Sequence, residues 1–301
     1  MRGMRTKSSA GRVPCSSAAS TNSDPAPRPR VARSSAAATP VVASLAATVA
    51  LLIALSSCLL PYAELSEEHA EAIVPRLFAS QAQLEEFRSA EIVWSELLYD
   101  ESIRALDDGG VSISVFGGQP KLNKGVRAEV AVDYPFEEGE TVSYGWGIRI
   151  PSGFAHDEAG GNRWWVMGQW HDQPNPNRGE TWDDIPSRSP PVAYYFGELD
   201  GEYGLILHYG TGEDDSVGVD QLIPLPADTW VRLETRVTWS QSEAGRVQVF
   251  VDDEAAPRID VSAANMHNDY QHYIKLGQYR HPDISTDNSV HFRNLRVEQM
   301  P

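Results

Sequence analysis

Three short segments set polar residues two apart inside otherwise apolar runs. They are Arg127-Ala128-Glu129 between Val126 and Val130, Gln169-Trp170-His171, and Tyr273-Ile274-Lys275-Leu276-Gly277-Gln278-Tyr279-Arg280. Successive side chains of an extended strand point to opposite faces, so each period-two set separates cleanly. Arg127 and Glu129 share one face; Val126, Ala128 and Val130 share the other. Gln169 and His171 point together, opposite Trp170, while Tyr273, Lys275 and Tyr279 align with Ile274 and Leu276 behind them. An ordinary solvated sheet face carries varied, mostly charged residues. Arg, Gln, His, Lys and Tyr are instead the set that holds a carboxylate and moves protons. Gly277 falls on the same face and leaves a gap between Lys275 and Tyr279 where a sugar ring could approach. Each segment alone has a plainer explanation. Strand Arg–Glu pairs are commonly surface ion pairs, lone histidines structural, and strand tyrosines packing. Three together read as a site.

The R-x-E, Q-x-H and Y-x-K-x-G-x-Y strands, in this order, resemble those of jelly-roll polysaccharide lyases, including the heparin lyase I family and the alginate and glucuronan lyases. The Gln-Trp-His form and the four-residue step from Lys275 to Tyr279 look closest to heparin lyase I, and the resemblance runs from about Val111 to the C-terminus. It implies β-elimination: the proton on C5 of a uronate is removed and the oxygen on C4 expelled. The carbanion-like intermediate is reached only if the neighbouring carboxylate is neutralised. The resemblance gives that grip to Gln169 and Arg127, with His171 beside them. Tyr279 becomes the candidate acid, and a candidate for both proton transfers; His171 is the alternative base, depending on whether the C5 proton lies syn or anti to the leaving group. Lys275 would hold a neighbouring acid group of the substrate or lower the pKa of Tyr279. Glu129 would orient Arg127, Tyr273 belongs to the same motif, and Arg280 and Arg163 are candidate subsite cations. No cofactor is required by this chemistry. Some members hold a structural calcium ion, for which Asp287, Asn288 and Asn294 offer oxygen ligands without metal-loop spacing.

The elements that must position these residues are strands. Val142, Tyr144, Trp146, Ile148 and Ile150 alternate with polar or small residues, as do Val231 to Trp239 and Val247 to Val251. Such alternation marks strands with one face in a core. Asp200-Gly201, between 194–199 and 202–209, is a strong hairpin signal, with Glu138-Gly139 and Ala244-Gly245 weaker ones. Many strands without βαβ spacing argue for an all-β, two-sheet antiparallel sandwich, a concanavalin-like jelly roll over 106–301. Loops at 160–163 and 172–191 could wall a cleft. Two rival readings use the same fold. Glu198-Leu199-Asp200-Gly201-Glu202 resembles the nucleophile strand of jelly-roll glycoside hydrolases, with Glu198 and Glu202 as the carboxylate pair, although a hairpin at Asp200-Gly201 would break that strand. Trp164, Trp165 and Trp182 would suit a non-catalytic carbohydrate-binding module, which has no need of a C5 base.

Ahead of the sandwich, residues 1–40 are rich in Ser, Ala, Pro and Arg without periodicity and read as disordered. Residues 41–58 form an apolar run behind basic residues, an export signal or membrane anchor; Leu55-Ser56-Ser57-Cys58 resembles a lipoprotein cleavage signal. Residues 59–105 read as a linker with short helical stretches at Glu64 to Ala72 and Gln81 to Arg88. Cys15 and Cys58 are the only cysteines, so the body has no thiol chemistry. The chain of 301 residues has 25 basic and 42 acidic residues, of which seven and one precede residue 59; the body keeps 18 and 41, a net charge of −23. That disfavours a nucleic-acid binder, which needs a basic face. The expected partner is an acidic polysaccharide, such as glucuronan, alginate or a glycosaminoglycan-like chain. Contact with a membrane would be through the N-terminal anchor or lipid alone, and a monomer is the default.

Overall fold

The computed structural model describes residues 93–157, 163–212 and 217–301. The expected disordered region, export segment and both helical stretches lie outside the described residues. The described chain is all-β, a jelly-roll sandwich of two seven-stranded antiparallel sheets. Its strands are β1 (Val93–Glu96), β2 (Ile103–Ala105), β3 (Val111–Val115), β4 (Val126–Val132), β5 (Thr141–Arg149), β6 (Trp165–His171) and β7 (Val192–Leu199), followed by β8 (Glu202–Tyr209), β9 (Val217–Pro224), β10 (Val231–Thr238), β11 (Arg246–Val251), β12 (Ile259–Ser262), β13 (Tyr273–Arg280) and β14 (Asn288–Gln299). One sheet runs β1-β4-β13-β6-β7-β8-β9 and the other β12-β11-β10-β5-β14-β3-β2. Two of these strands, β1 and β2, fall within the 59–105 stretch expected to be linker and short helix.

Alternation sets the inner faces. In β5, Val142, Tyr144, Trp146 and Ile148 are buried in the core, as are Val231, Leu233 and Val237 of β10. They meet Trp170 and Tyr194 from the opposite sheet. The Tyr144 and Trp170 rings lie 5.1 Å apart, and the Tyr194 hydroxyl is 2.7 Å from Thr235 Oγ1. The last contact satisfies two buried hydroxyls at once, which an apolar core otherwise penalises. Asp200 and Gly201 both adopt positive φ (53° and 86°) in the two-residue turn joining β7 to β8. Asp-Gly suits that turn because both central positions are left-handed.

The site-bearing strands are neighbours. In β4-β13-β6, Tyr279 stands opposite Arg127, Gly277 opposite Glu129, Lys275 opposite Gln169 and Tyr273 opposite His171. A β-bulge interrupts the β13–β6 register between Leu276 and Tyr279. Gly277 sits there with φ 150°, and a Cβ at this position would lie 2.2 Å from the Ala128 carbonyl oxygen and 2.7 Å from Glu129 Cα. Glycine is therefore demanded by the adjacent backbone of β4. The gap expected for a sugar ring is not its structural reason.

Candidate active site

All three polar motifs converge on the outer face of the first sheet, with a fourth contributor from β1. Arg127 Nη1 donates to Glu96 Oε2 at 2.5 Å and lies 3.3 Å from Glu129 Oε2; its Nη2 donates to the Asn123 carbonyl at 2.8 Å. Lys275 Nζ donates to Glu96 Oε1 at 2.5 Å, and Gln169 Nε2 donates to Glu129 Oε1 at 2.5 Å. Two cations and two carboxylates thus form one circuit, with Arg127, Glu129, Gln169 and Lys275 each no more than 5% exposed. Arg127 Nε and Glu129 Oε2 remain buried without a hydrogen bond. Both are polar atoms without a hydrogen bond inside an otherwise bonded network, where such atoms are uncommon.

Charge is distributed unevenly around this circuit. Burial alone would push the Glu96 carboxyl up, but Lys275 and then Arg127 outweigh it and hold the group below its ordinary range. For Glu129, burial prevails over the same two cations and its carboxyl is raised. Burial likewise raises the Tyr279 phenol, only partly opposed by Arg127. The guanidinium carbon of Arg127 is 3.8 Å from the centre of the Tyr279 ring, and Trp164 packs on the same ring at 4.4 Å. Gly125 makes room for both: a Cβ there would come within 2.4 Å of the Tyr279 ring and 2.6 Å of Trp164. Lys275, expected to depress the tyrosine or hold the substrate, is turned to Glu96 instead. Arg127 is the cation that opposes the rise at Tyr279.

His171 flanks the circuit beside Tyr273, the two rings 6.0 Å apart. Its Nδ1 lies 2.9 Å from both the carbonyl oxygen and Oδ1 of Asp172. Both neighbours are acceptors, so in the neutral ring the proton sits on Nδ1 and the lone pair on Nε2. Burial works against the Asp172 carboxylate, yet His171 and Arg188, which clasps Oδ2, keep it well below the usual range. Tyr273 is buried against Trp94 at 4.9 Å, with the exposed Trp182 ring 6.3 Å away.

Two expected residues are engaged with other partners. Arg280 points into the sandwich: it is fully buried, over Trp165 at 5.1 Å, and donates to the Thr286 carbonyl. Its parity within β13 places it with Ile274, Leu276 and Gln278, so it is no groove cation. Burial drops its pKa to about 10. Arg163 is held by Asp157 Oδ1 at 2.9 Å and by the Asp283 carbonyl. The rival hydrolase carboxylates do not share a strand, since Glu198 lies in β7, one residue before its end, and Glu202 begins β8. Two of the calcium candidates are engaged in hydrogen bonds within the chain. Asp287 Oδ1 accepts from the Gly117 N–H at 2.6 Å, Asn288 Oδ1 accepts from Ala155 N–H at 2.8 Å, and no group of three metal-binding side chains occurs among the described residues.

Sequence reasoning missed Glu96 and Asp172. Glu96 carries no local signal, being on a four-residue strand far from its partners. Asp172 had one: an acid immediately following the motif histidine.

Against known proteins, a family model described as polysaccharide lyase matches residues 79–296. No curated protein matches the chain by sequence. Among solved structures, it is similar to an endo-β-1,4-glucuronan lyase from the fungus Trichoderma reesei, at 14% identity over 71% of this chain and 90% of that one, TM-score 0.48. It is also similar to alginate lyase Aly36B (12% identity, 74% and 93%, TM-score 0.49) and to the family-7 alginate lyase A1-II′ (14%, 67% and 85%, TM-score 0.47).

Proposed function

The chain belongs to the polysaccharide lyase family, and from that membership we propose that it cleaves a uronate-containing acidic polymer by β-elimination, leaving an unsaturated uronate end. The observation that carries this reading is the Arg127–Tyr279 contact. A buried guanidinium with an unpartnered Nε–H stacks on a half-buried phenol. A carboxylate received by Arg127 and Gln169 would sit beside the hydroxyl that must protonate its neighbouring C4 oxygen. Arg127 and Lys275 place two cations on this face. They offer a polyanion local cationic groups in a body whose net charge is −23.

In this mechanism His171 Nε2 takes the proton from C5. The electron pair forms the C4–C5 double bond, the C4–O bond breaks, and Tyr279 Oη gives its proton to the departing oxygen. Burial keeps the phenol protonated at neutral pH, as an acid requires. His171 is held in the tautomer needed for a base by Asp172. A less densely charged polyuronate, of the glucuronan or alginate kind, suits an acidic body better than a highly sulfated chain.

The test is ultraviolet absorbance of the purified protein incubated with a panel of polyuronates and glycosaminoglycans. The conjugated double bond absorbs; a hydrolysis product does not. A rising signal that falls about 10²- to 10⁴-fold in Tyr279→Phe is expected. New reducing ends without absorbance would replace the lyase mechanism by hydrolysis, and retained binding without either would leave a carbohydrate-recognition module.

A further inference from the structure

The opposite, outer face of the second sheet carries a trough of about 490 Å³ whose chemistry differs from the rest of this acidic surface. Its floor is the outer side of β5, where Gly145 and Gly147 replace side chains. Gly145 is not required by packing: a Cβ there would meet nothing closer than 4.0 Å, and neither glycine has positive φ. Interior strand glycines without a backbone reason mark close approach by another chain or ligand.

The wall is basic. Arg293 stands opposite Gly147 and Arg296 opposite Gly145. In a regular strand, residues three apart face opposite sides. Here a bulge, with Asn294 at φ 53°, inserts one extra residue and turns both arginines outward. Across the floor, β10 places Arg232 opposite Gly147. With strands about 4.8 Å apart, the two walls are about 10 Å apart, wide enough for one polysaccharide chain. The trough's anchors repeat about 7 Å apart along the strand.

These two arginines are unusual in lacking carboxylates. Of the thirteen arginines among the described residues, nine form an ion pair with a described Asp or Glu. Arg280 is buried and Arg104 stands alone; the other two are Arg293 and Arg296, side by side in the trough. Arg293 is also pre-oriented, its guanidinium flat on Trp230 at 4.2 Å. Of the three acids lining the trough, Glu234 is engaged by Arg236 and Asp252 by the Arg232 N–H, while Glu298 stands two residues beyond Arg296.

We propose that this trough is a second, non-catalytic binding site for an acidic polysaccharide, with Arg293 and Arg296 receiving carboxylates of one extended chain. It lies on the sheet opposite the Arg127–Tyr279 groove, so a long polymer could be held by both faces of one molecule. The ligand class rests on the uronate reading above, while the site itself does not depend on turnover.

The experiment is affinity electrophoresis of the full chain through gels containing alginate or glucuronan, in the Tyr279→Phe background so that the polymer survives. Adding Arg293→Ala and Arg296→Ala should weaken retardation about three- to tenfold at low salt, with less difference at high salt. Arg246→Ala, set beside each single variant, removes the same one charge from an arginine paired with Asp260 and should leave retardation unchanged. Thermal unfolding of the double variant checks that the sheet is intact. Retardation unchanged in the double variant, or lowered equally by Arg246→Ala, overturns the proposal. So does a concentration-dependent dimer abolished by the double variant while polymer binding persists, which would make the trough a self-association surface. Absence of ultraviolet-detected turnover in the parent enzyme, with trough-dependent retardation intact, would sink the lyase mechanism and leave this site standing.

Discussion

At the scale of single residues, the site depends on two acids that never touch the chemistry. Asp172 fixes which imidazole nitrogen of His171 is bare. Asp172→Asn can present an amide N–H to Nδ1 and favour the wrong tautomer, so kcat should fall about 10²-fold with KM little changed; steady-state kinetics at saturating polymer measure this, and an unaltered kcat would remove Asp172 from the mechanism. Glu96 sits between Lys275 and Arg127 and helps to raise the Tyr279 phenol. Glu96→Gln should shift the alkaline limb of kcat/KM to lower pH and reduce stability by about 1–3 kcal/mol. An alkaline limb that stays in place would mean Glu96 is structural only. Most of the site was legible because period-two spacing carries its own geometry: Arg127, Glu129, Gln169, His171, Lys275 and Tyr279 all reach the face assigned to them. Arg280 failed on that same rule, since its even position put it with the core residues. Glu96 was illegible because no local pattern reports a partner 31 or 179 residues away.

Elements show a similar division. Long alternating strands such as β5 and β10 and the Asp200-Gly201 turn declare themselves, because a half-buried pleat and a left-handed turn each constrain residue type. The four residues of β1 do not, being too few to display a period. Its membership in the sheet comes from pairing with β4, Glu96 lying opposite Glu129. Gly277 belongs at this scale too. Its role was misread as clearance for substrate, whereas the bulge in β13 brings its Cα against the β4 backbone. Gly277→Ala should cost about 3 kcal/mol or more, because positive φ and a 2.2 Å clash act together. Chemical denaturation reads the loss, and a variant as stable as the parent would show that β13 can shift to accommodate a methyl group.

For the whole molecule, the most consequential buried titration lies outside the catalytic circuit. His272 donates through Nδ1 to the Tyr270 carbonyl and accepts through Nε2 from the His267 N–H, an arrangement only the neutral ring can make. Burial lowers its pKa from 6.5 to about 4. Between those values the unfolded chain binds a proton that the folded chain refuses. Stability is therefore full above pH 6.5 and falls by about 3 kcal/mol as pH drops toward 4. His267 and His291, also lowered by burial, act in the same direction. Unfolding midpoints measured from pH 7 to 4 should show this slope, and His272→Gln should flatten most of it; an equal slope in the variant would assign acid lability to other groups. The Glu96–Lys275 bond joins the first strand of the sandwich to its penultimate one, 179 residues apart. Loops of that length close late in folding. A refolding chain that has already gathered Trp146, Trp170 and Trp239 into its interior still lacks the joined charges of the groove, so recovery of catalysis should trail the tryptophan signal, with enzyme emerging only when β1 has docked on the sheet that holds β13.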